Sequence, residues 1–226
     1  QDGVSVTLGA CVTHAAIEDG RVPDPSGGLM PRIARDIAHR AVRNRGTVGG
    51  NLCHADPASE NPAVAIASGA TLVLRSAVAE RRVAAEDFFL GLYETAAEQN
   101  ELLTEIRYPK APEGQGWSFQ ETSTRQGDFA LAGIAATVDA ANGTCRDARV
   151  VAVGVGEYAT RLTAAEEAVR GRELGEDTLK AAGDVARDTV DPPSDFHADA
   201  EYRRDLVCAL TKRALAEARD RVGSGG

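Results

Sequence analysis

Arg43-Asn44-Arg45-Gly46-Thr47-Val48-Gly49-Gly50-Asn51-Leu52-Cys53-His54-Ala55-Asp56-Pro57-Ala58-Ser59-Glu60-Asn61-Pro62 is the stretch on which the reading of this chain turns. Two adjacent glycines stand between a hydroxyl, Thr47, and an amide, Asn51, and a proline, a serine and a carboxylate follow before the next apolar segment. Glycine has no Cβ, so its backbone N–H can approach an anion closely and φ > 0 is open to it; Thr47 and Asn51 add side-chain hydrogen bonds at the edges. The run is expected to be a loop forming a nest for phosphate, although the same Gly-Gly dipeptide also marks ordinary turns. Downstream, Ser59 is placed as the N-cap of a helix whose dipole attracts an anion.

Upstream, Val4-Ser5-Val6-Thr7-Leu8 alternates as a strand, and Thr13 is placed as the cap of a short helix reaching Ile17. Leu29, Ile33, Ile37 and Ala41 recur at helical spacing and predict one longer helix leading into the glycines. Downstream, 61–68 reads as an Ala-rich helix ended by Gly69, followed by strands over 70–75, 81–84 and 101–108 with a helical turn over 85–89. The breaker-rich run Lys110-Ala111-Pro112-Glu113-Gly114-Gln115-Gly116 is the best linker candidate, dividing a domain over 1–112 from one over 117–222. Beyond it, 117–124, 130–140 and 148–155 read as a three-stranded antiparallel sheet with an Asn142-Gly143 hairpin turn. Helices over 163–170, 176–190 and 198–222 come next, and Gly-Ser-Gly-Gly at 223–226 is expected to be a flexible tail. Strands followed by helices predict an α+β domain with helices on one face of the sheet.

With 226 residues, 43% of them hydrophobic, the chain can build packed cores. A formal charge of −9 without a basic run argues against nucleic acid as a partner, and no apolar run is long enough to span a membrane. Cys11, Cys53, Cys145 and Cys208 are widely spaced, so neither a zinc site nor an iron–sulfur cluster is expected on this chain, and free thiols point to the cytoplasm. His14, His39, His54 and His197 share no ligand spacing, and no nucleophile elbow occurs; no metal ligand and no catalytic side chain is therefore assigned. Arg125 and Asp128 read as a charged turn with a local ion pair. Glu201-Tyr202-Arg203-Arg204 reads as a solvated helical face, with a neighbouring domain within reach of Tyr and Arg as the alternative.

Taken in order, Arg43 to Asn51, Ala55-Asp56-Pro57-Ala58-Ser59-Glu60, Glu101-Leu102-Leu103-Thr104-Glu105-Ile106, Arg125-Gln126-Gly127-Asp128-Phe129-Ala130 and His197-Ala198-Asp199-Ala200-Glu201-Tyr202-Arg203 resemble the medium, FAD-binding subunit of the molybdenum hydroxylases, the xanthine dehydrogenase and aerobic carbon monoxide dehydrogenase family. The resemblance runs over nearly the whole chain. It implies the second subdomain of a PCMH-type FAD-binding domain followed by a smaller C-terminal α+β domain. It also implies electron transfer from [2Fe–2S] clusters of a small partner subunit, through FAD, to NAD, oxygen or a quinone. A large partner subunit would carry molybdopterin and oxidise the substrate, the whole forming a dimer of heterotrimers.

Carried over by position, Thr47, Val48, Gly49, Gly50 and Asn51 match the family's loop for the FAD diphosphate, with Ser59 beside it. Glu60 matches a position usually Asp, whose carboxylate lies near the flavin nucleotide, and Leu103 matches an apolar residue against the flavin ring. Gln120 stands where some members have Lys and takes no role; Cys53 and His54 lie between motif positions, beside the same pocket. The family's N-terminal region, roughly a fifth of the subunit on domain-size grounds, includes a second Gly-Gly loop that does not occur here. The chain therefore reads as N-terminally incomplete, and a flavin-free scaffold with the family fold is the rival reading.

Overall fold

A computed structural model of the chain describes residues 4–125 and 127–223. In chain order the elements are β1 (Ser5–Gly9), α1 (His14–Glu18), α2 (Leu29–Ala34), α3 (Arg40–Arg43), α4 (Val48–His54), α5 (Glu60–Ala67), β2 (Thr71–Arg75), β3 (Glu80–Ala84), a 3-10 turn (Ala85–Asp87), β4 (Phe89–Gly91), β5 (Glu94–Thr95), β6 (Leu102–Pro109), β7 (Gly116–Ser123), β8 (Ala130–Ala141), β9 (Thr144–Val153), β10 (Thr160–Arg161), α6 (Thr163–Val169), α7 (Glu176–Thr189) and α8 (Ala200–Arg221). Antiparallel strands in the order β1-β6-β2-β3 make the first sheet, and β10-β9-β8-β7 make the second.

The alternating apolar residues of the first sheet, among them Val6, Leu8, Leu72, Leu74, Ile106 and Tyr108, are buried together with Leu29, Ile33, Val48 and Leu52 from the helices. Hydrophobic burial of about 25 cal/mol per Å² makes such a face the main source of cohesion. Helix α5 is buried at every residue from Asn61 to Ala67. Its small side chains Ala63, Ala65 and Ala67 share one core with Phe119, Ala135, Val151 and Val153 of the second sheet. The other face of that sheet, carrying Ile134, Ala136, Val138, Val150 and Ala152, packs against Leu162, Leu179, Val207, Leu210 and Leu215 of the C-terminal helical region. The alternation of β8 and β9 thus serves two cores at once.

Three expectations are corrected. The helix expected through Leu29, Ile33, Ile37 and Ala41 is two short helices, because Ala38 takes a left-handed φ of 43°. Its cause lies outside the periodic pattern: Arg43 Nη1 donates to the carbonyls of both Ile37 (2.9 Å) and Ala38 (2.8 Å), while its Nε donates to Glu18 (2.8 Å). The second sheet has a fourth, two-residue strand, β10, beside β9. And β9 begins at Thr144, earlier than expected, since Asn142 (φ 51°) and Gly143 (φ 78°) complete a two-residue turn of positive φ that lets pairing resume at once. Residues 224–226 of the expected tail lie outside the described residues, and Gly223 donates its N–H to Gly114 O.

Candidate functional site, a cleft between the Thr47 turn and the second sheet

The Gly-Gly loop expected at 47–51 is the first turn of helix α4. Thr47 is extended (φ −117°, ψ 153°) and caps it, its Oγ1 accepting the Gly50 N–H. Val48 N–H donates to Val12 O and Gly49 N–H to Ala10 O, both at 2.9 Å, and Asn51 N–H donates to Thr47 O. The four amides of the turn thus have partners within the protein, and the groups that remain for a ligand are side chains rather than a backbone nest.

The two glycines have separate reasons. A Cβ on Gly49 would stand 2.8 Å from both Cα and O of Ala10, so glycine is needed for α4 to pack against the end of β1. At Gly50 it would meet only Thr47 Oγ1, at 2.9 Å, and this exposed residue lines the cleft. Asn51 joins the two ends of the motif, donating from Nδ2 to Ser59 Oγ (3.0 Å) and accepting at Oδ1 from Asn61 Nδ2 (3.1 Å). Ser59 occupies the N-cap position of α5 without a side-chain cap bond, and its hydroxyl belongs to this network instead.

The cleft has a volume of about 1070 Å³ and is lined on one side by Thr47, Gly50, Asn51, Ser59 and Glu60. Its opposite wall comes from Gly127 to Leu131, Gly154, Gly156, Asp195, His197 and Arg203. Such a volume lies at the upper end for small-molecule and cofactor sites. Burial pushes the Glu60 carboxyl up to about 8, with the charges of Glu121, Asp36 and Asp56 adding to the effect, so it is mainly protonated at neutral pH. Glu121 on β7 is raised to about 7, by burial and then by Asp36, against the opposing charge of Arg32. His14, buried on the cleft with Nδ1 unpartnered among the described residues, is pushed down to about 4 by burial and by Arg43, and is neutral. Arg45 also lines the cleft and has no ion-pair partner among the described residues.

Tyr93, at the tip of the β4–β5 hairpin, has φ 55°, donates from its hydroxyl to Asp56 Oδ2 (3.2 Å) and lies with its ring 5.1 Å from that of His54. Asp56 in turn accepts the Ala58 N–H. Left-handed backbone at non-glycine positions is costly. Both Ala38 and Tyr93 combine it with a place in the cleft wall.

The expected site residues therefore fall into three groups. Thr47, Gly50, Asn51, Ser59 and Glu60 meet in the cleft, Val48 and Gly49 are buried behind it, and Leu103 is half-buried on β6 against the first core, away from the lining. His54 lines the cleft and Cys53 does not. Of the face expected to be solvated, Glu201 and Tyr202 are exposed, but Arg203 is 4% exposed and reaches the far wall. Sequence reasoning quoted Arg203 but missed its burial, and it missed Tyr93, whose only signal was a two-residue turn between short strands. Asp128 donates its N–H to Arg125 O, and among the described residues no ion pair joins the two. Nor does any group of three His, Cys, Asp or Glu among the described residues form a metal-binding cluster, and no described helix is long and apolar enough to cross a membrane.

FAD fits this arrangement: a cleft of cofactor size with polar and apolar lining, the hydroxyls of Thr47 and Ser59 and the guanidinium of Arg45 among its lining residues, and a glycine where a side chain would intrude. The FAD binding domain of molybdopterin dehydrogenases matches residues 1–111, and the CO dehydrogenase flavoprotein C-terminal domain matches residues 117–218. Caffeine dehydrogenase subunit beta from a Pseudomonas species is 37% identical, over 95% of this chain and 73% of that protein. A solved structure of carbon monoxide dehydrogenase from Hydrogenophaga pseudoflava superposes with a TM-score of 0.95 at 35% identity, covering 98% of this chain and 77% of the other. Quinoline 2-oxidoreductase from Pseudomonas putida 86 gives 0.91 at 33% identity, covering 99% and 78%. The chain belongs to the family of FAD-binding medium subunits of the molybdenum hydroxylases, the flavoprotein components of molybdopterin-type dehydrogenases.

Proposed function

We propose that the cleft holds FAD and that the chain is the electron-transfer subunit of its complex. The observation that carries this reading is that the matched polar residues of the first half, from Thr47 to Glu60, face one cleft whose other wall belongs to the second half. The hydroxyls of Thr47 and Ser59 and the guanidinium of Arg45 hold the diphosphate, since charge-assisted and hydroxyl donors remain available where the backbone amides do not. Gly50 leaves the space, Asn51 fixes Ser59, and Val48 and Gly49 seat the turn against Ala10 and Val12. Glu60, kept neutral by burial, offers the cofactor an O–H as well as an acceptor oxygen.

When bound, FAD supplies the chemistry of taking up electrons singly and releasing them in pairs. The clusters of a small [2Fe–2S] subunit deliver the electrons, a large molybdopterin-binding subunit generates them from its substrate, and NAD, oxygen or a quinone removes them. This complex works in the cytoplasm as a dimer of heterotrimers, with the chain dividing into units over 1–112 and 117–222. In the complex reconstituted with both partners, substrate is expected to bleach the flavin absorbance before the external acceptor is added. Substrate oxidation with a flavin spectrum that never changes would remove the electron-transfer role.

A further inference from the structure

Arg203 lies in the first turn of α8 and points into the protein, where its guanidinium bonds three separate segments. Nη1 donates to Leu131 O (2.5 Å) and Gly154 O (3.0 Å), Nη2 donates to Asp195 Oδ2 (2.7 Å), and Nε is buried with no partner among the described residues. Leu131 is the second residue of β8, Gly154 follows β9, and Asp195 belongs to the connection before α8; each segment also lines the far wall of the cleft. Gly154 carries the contact onward, donating its N–H to Pro57 O (2.7 Å) in the near wall, two residues from Ser59. It must be glycine, with φ 75° and a Cβ position only 2.7 Å from Ala130 O. Asp195 is itself fixed, its Oδ1 accepting the amides of His197 (2.8 Å) and Ala198 (3.0 Å).

We propose that Arg203 is a positioning residue of the cofactor site: it holds three segments of the far wall together and, through Gly154 and Pro57, sets the spacing of that wall from Asn51 and Ser59. Only a planar fork with several N–H donors can bridge two carbonyls and a carboxylate; a lysine ammonium keeps the charge and loses the geometry. Although burial pushes the Asp195 carboxyl up, the Ala198 amide, Arg203 and the His197 amide outweigh it and bring it to about 2, so the ion pair persists across the working pH range. The inference rests on the cleft being the FAD site, and its test separates the two.

Arg203→Lys and Arg203→Gln in the full chain are compared with the unmodified chain by amide hydrogen exchange without ligand and by FAD titration. Faster exchange confined to segments 127–131, 153–157 and 193–198 is expected, with FAD affinity lowered about tenfold or more at temperatures where the variants remain folded. Added guanidinium ion is expected to restore part of the affinity of Arg203→Ala. Should Arg203→Gln fail to fold, Asp195→Asn removes one arm of the bridge, and its far-wall exchange is expected to rise less. Unchanged exchange in those segments overturns the inference, as does FAD affinity equal to that of the unmodified chain. A general loss of Tm without any recovery in guanidinium assigns Arg203 a structural role only and also overturns it. An unmodified chain that binds no FAD removes the functional reading and the cofactor part of the inference, while exchange still decides whether Arg203 holds the wall.

Discussion

At Gly49 a methyl group would press on Cα and O of Ala10, and at Gly50 only on the Thr47 hydroxyl. Gly49→Ala is therefore expected to destabilise the protein by about 1–3 kcal/mol through overpacking. Gly50→Ala should stay within about 1 kcal/mol of the parent, since the helix propensity gained offsets the disturbed cap; denaturant midpoints check both. Glu60 makes a second prediction. Its folded-state pKa, about 8, exceeds the unfolded value, so between the two the folded protein binds the extra proton and stability falls as pH rises, by up to about 1.4 kcal/mol per pH unit. Glu60→Gln is expected to flatten that fall between pH 5 and 8, as read by denaturation at each pH. Glu121, itself raised to about 7 by burial, adds to the same fall, and the charges of Asp36 and Asp56 help hold Glu60 up. The sequence singled these residues out; how they act in the fold was not legible in it. That Gly49 N–H is spent on Ala10, or that Glu60 is desolvated, depends on segments far apart in the chain, which local chemistry cannot bring together.

Among the elements, α6 depends on one buried group. Glu166 is 2% exposed, accepts the Val150 N–H at 3.0 Å and receives both Nε (2.8 Å) and Nη2 (2.9 Å) of Arg161. Removing one partner of a buried pair leaves the other uncompensated, so Glu166→Ala is expected to cost about 3–5 kcal/mol in equilibrium unfolding. Elements with strong local signals were readable: the Asn142-Gly143 turn after β8, the cap at Thr13 and the positive φ of Gly69 after α5 all reflect chemistry within a few residues. The break at Ala38 was not, because it answers to a guanidinium five residues on that is itself held by Glu18. The burial of Arg203 was equally hidden, since Leu131 and Gly154 reach it only when β8 and β9 are already paired.

For the whole molecule, the decisive feature is that the first core extends from Val6 to Val153 and Ala159, on both sides of the breaker-rich segment 110–116. Helix α5 belongs to both sheets' packing, and the cleft lies where the two halves face each other. The two halves are expected to unfold in one calorimetric transition; two separated transitions would mean that α5 does not couple them. The central claim, that this cleft holds FAD, is tested most directly by titrating the purified chain with FAD beside Gly50→Leu, with far-UV circular dichroism confirming the fold of both. The account predicts near-stoichiometric flavin retained by the parent chain and lost from the variant. A parent chain that stays colourless, or a folded variant that binds FAD equally well, would contradict it.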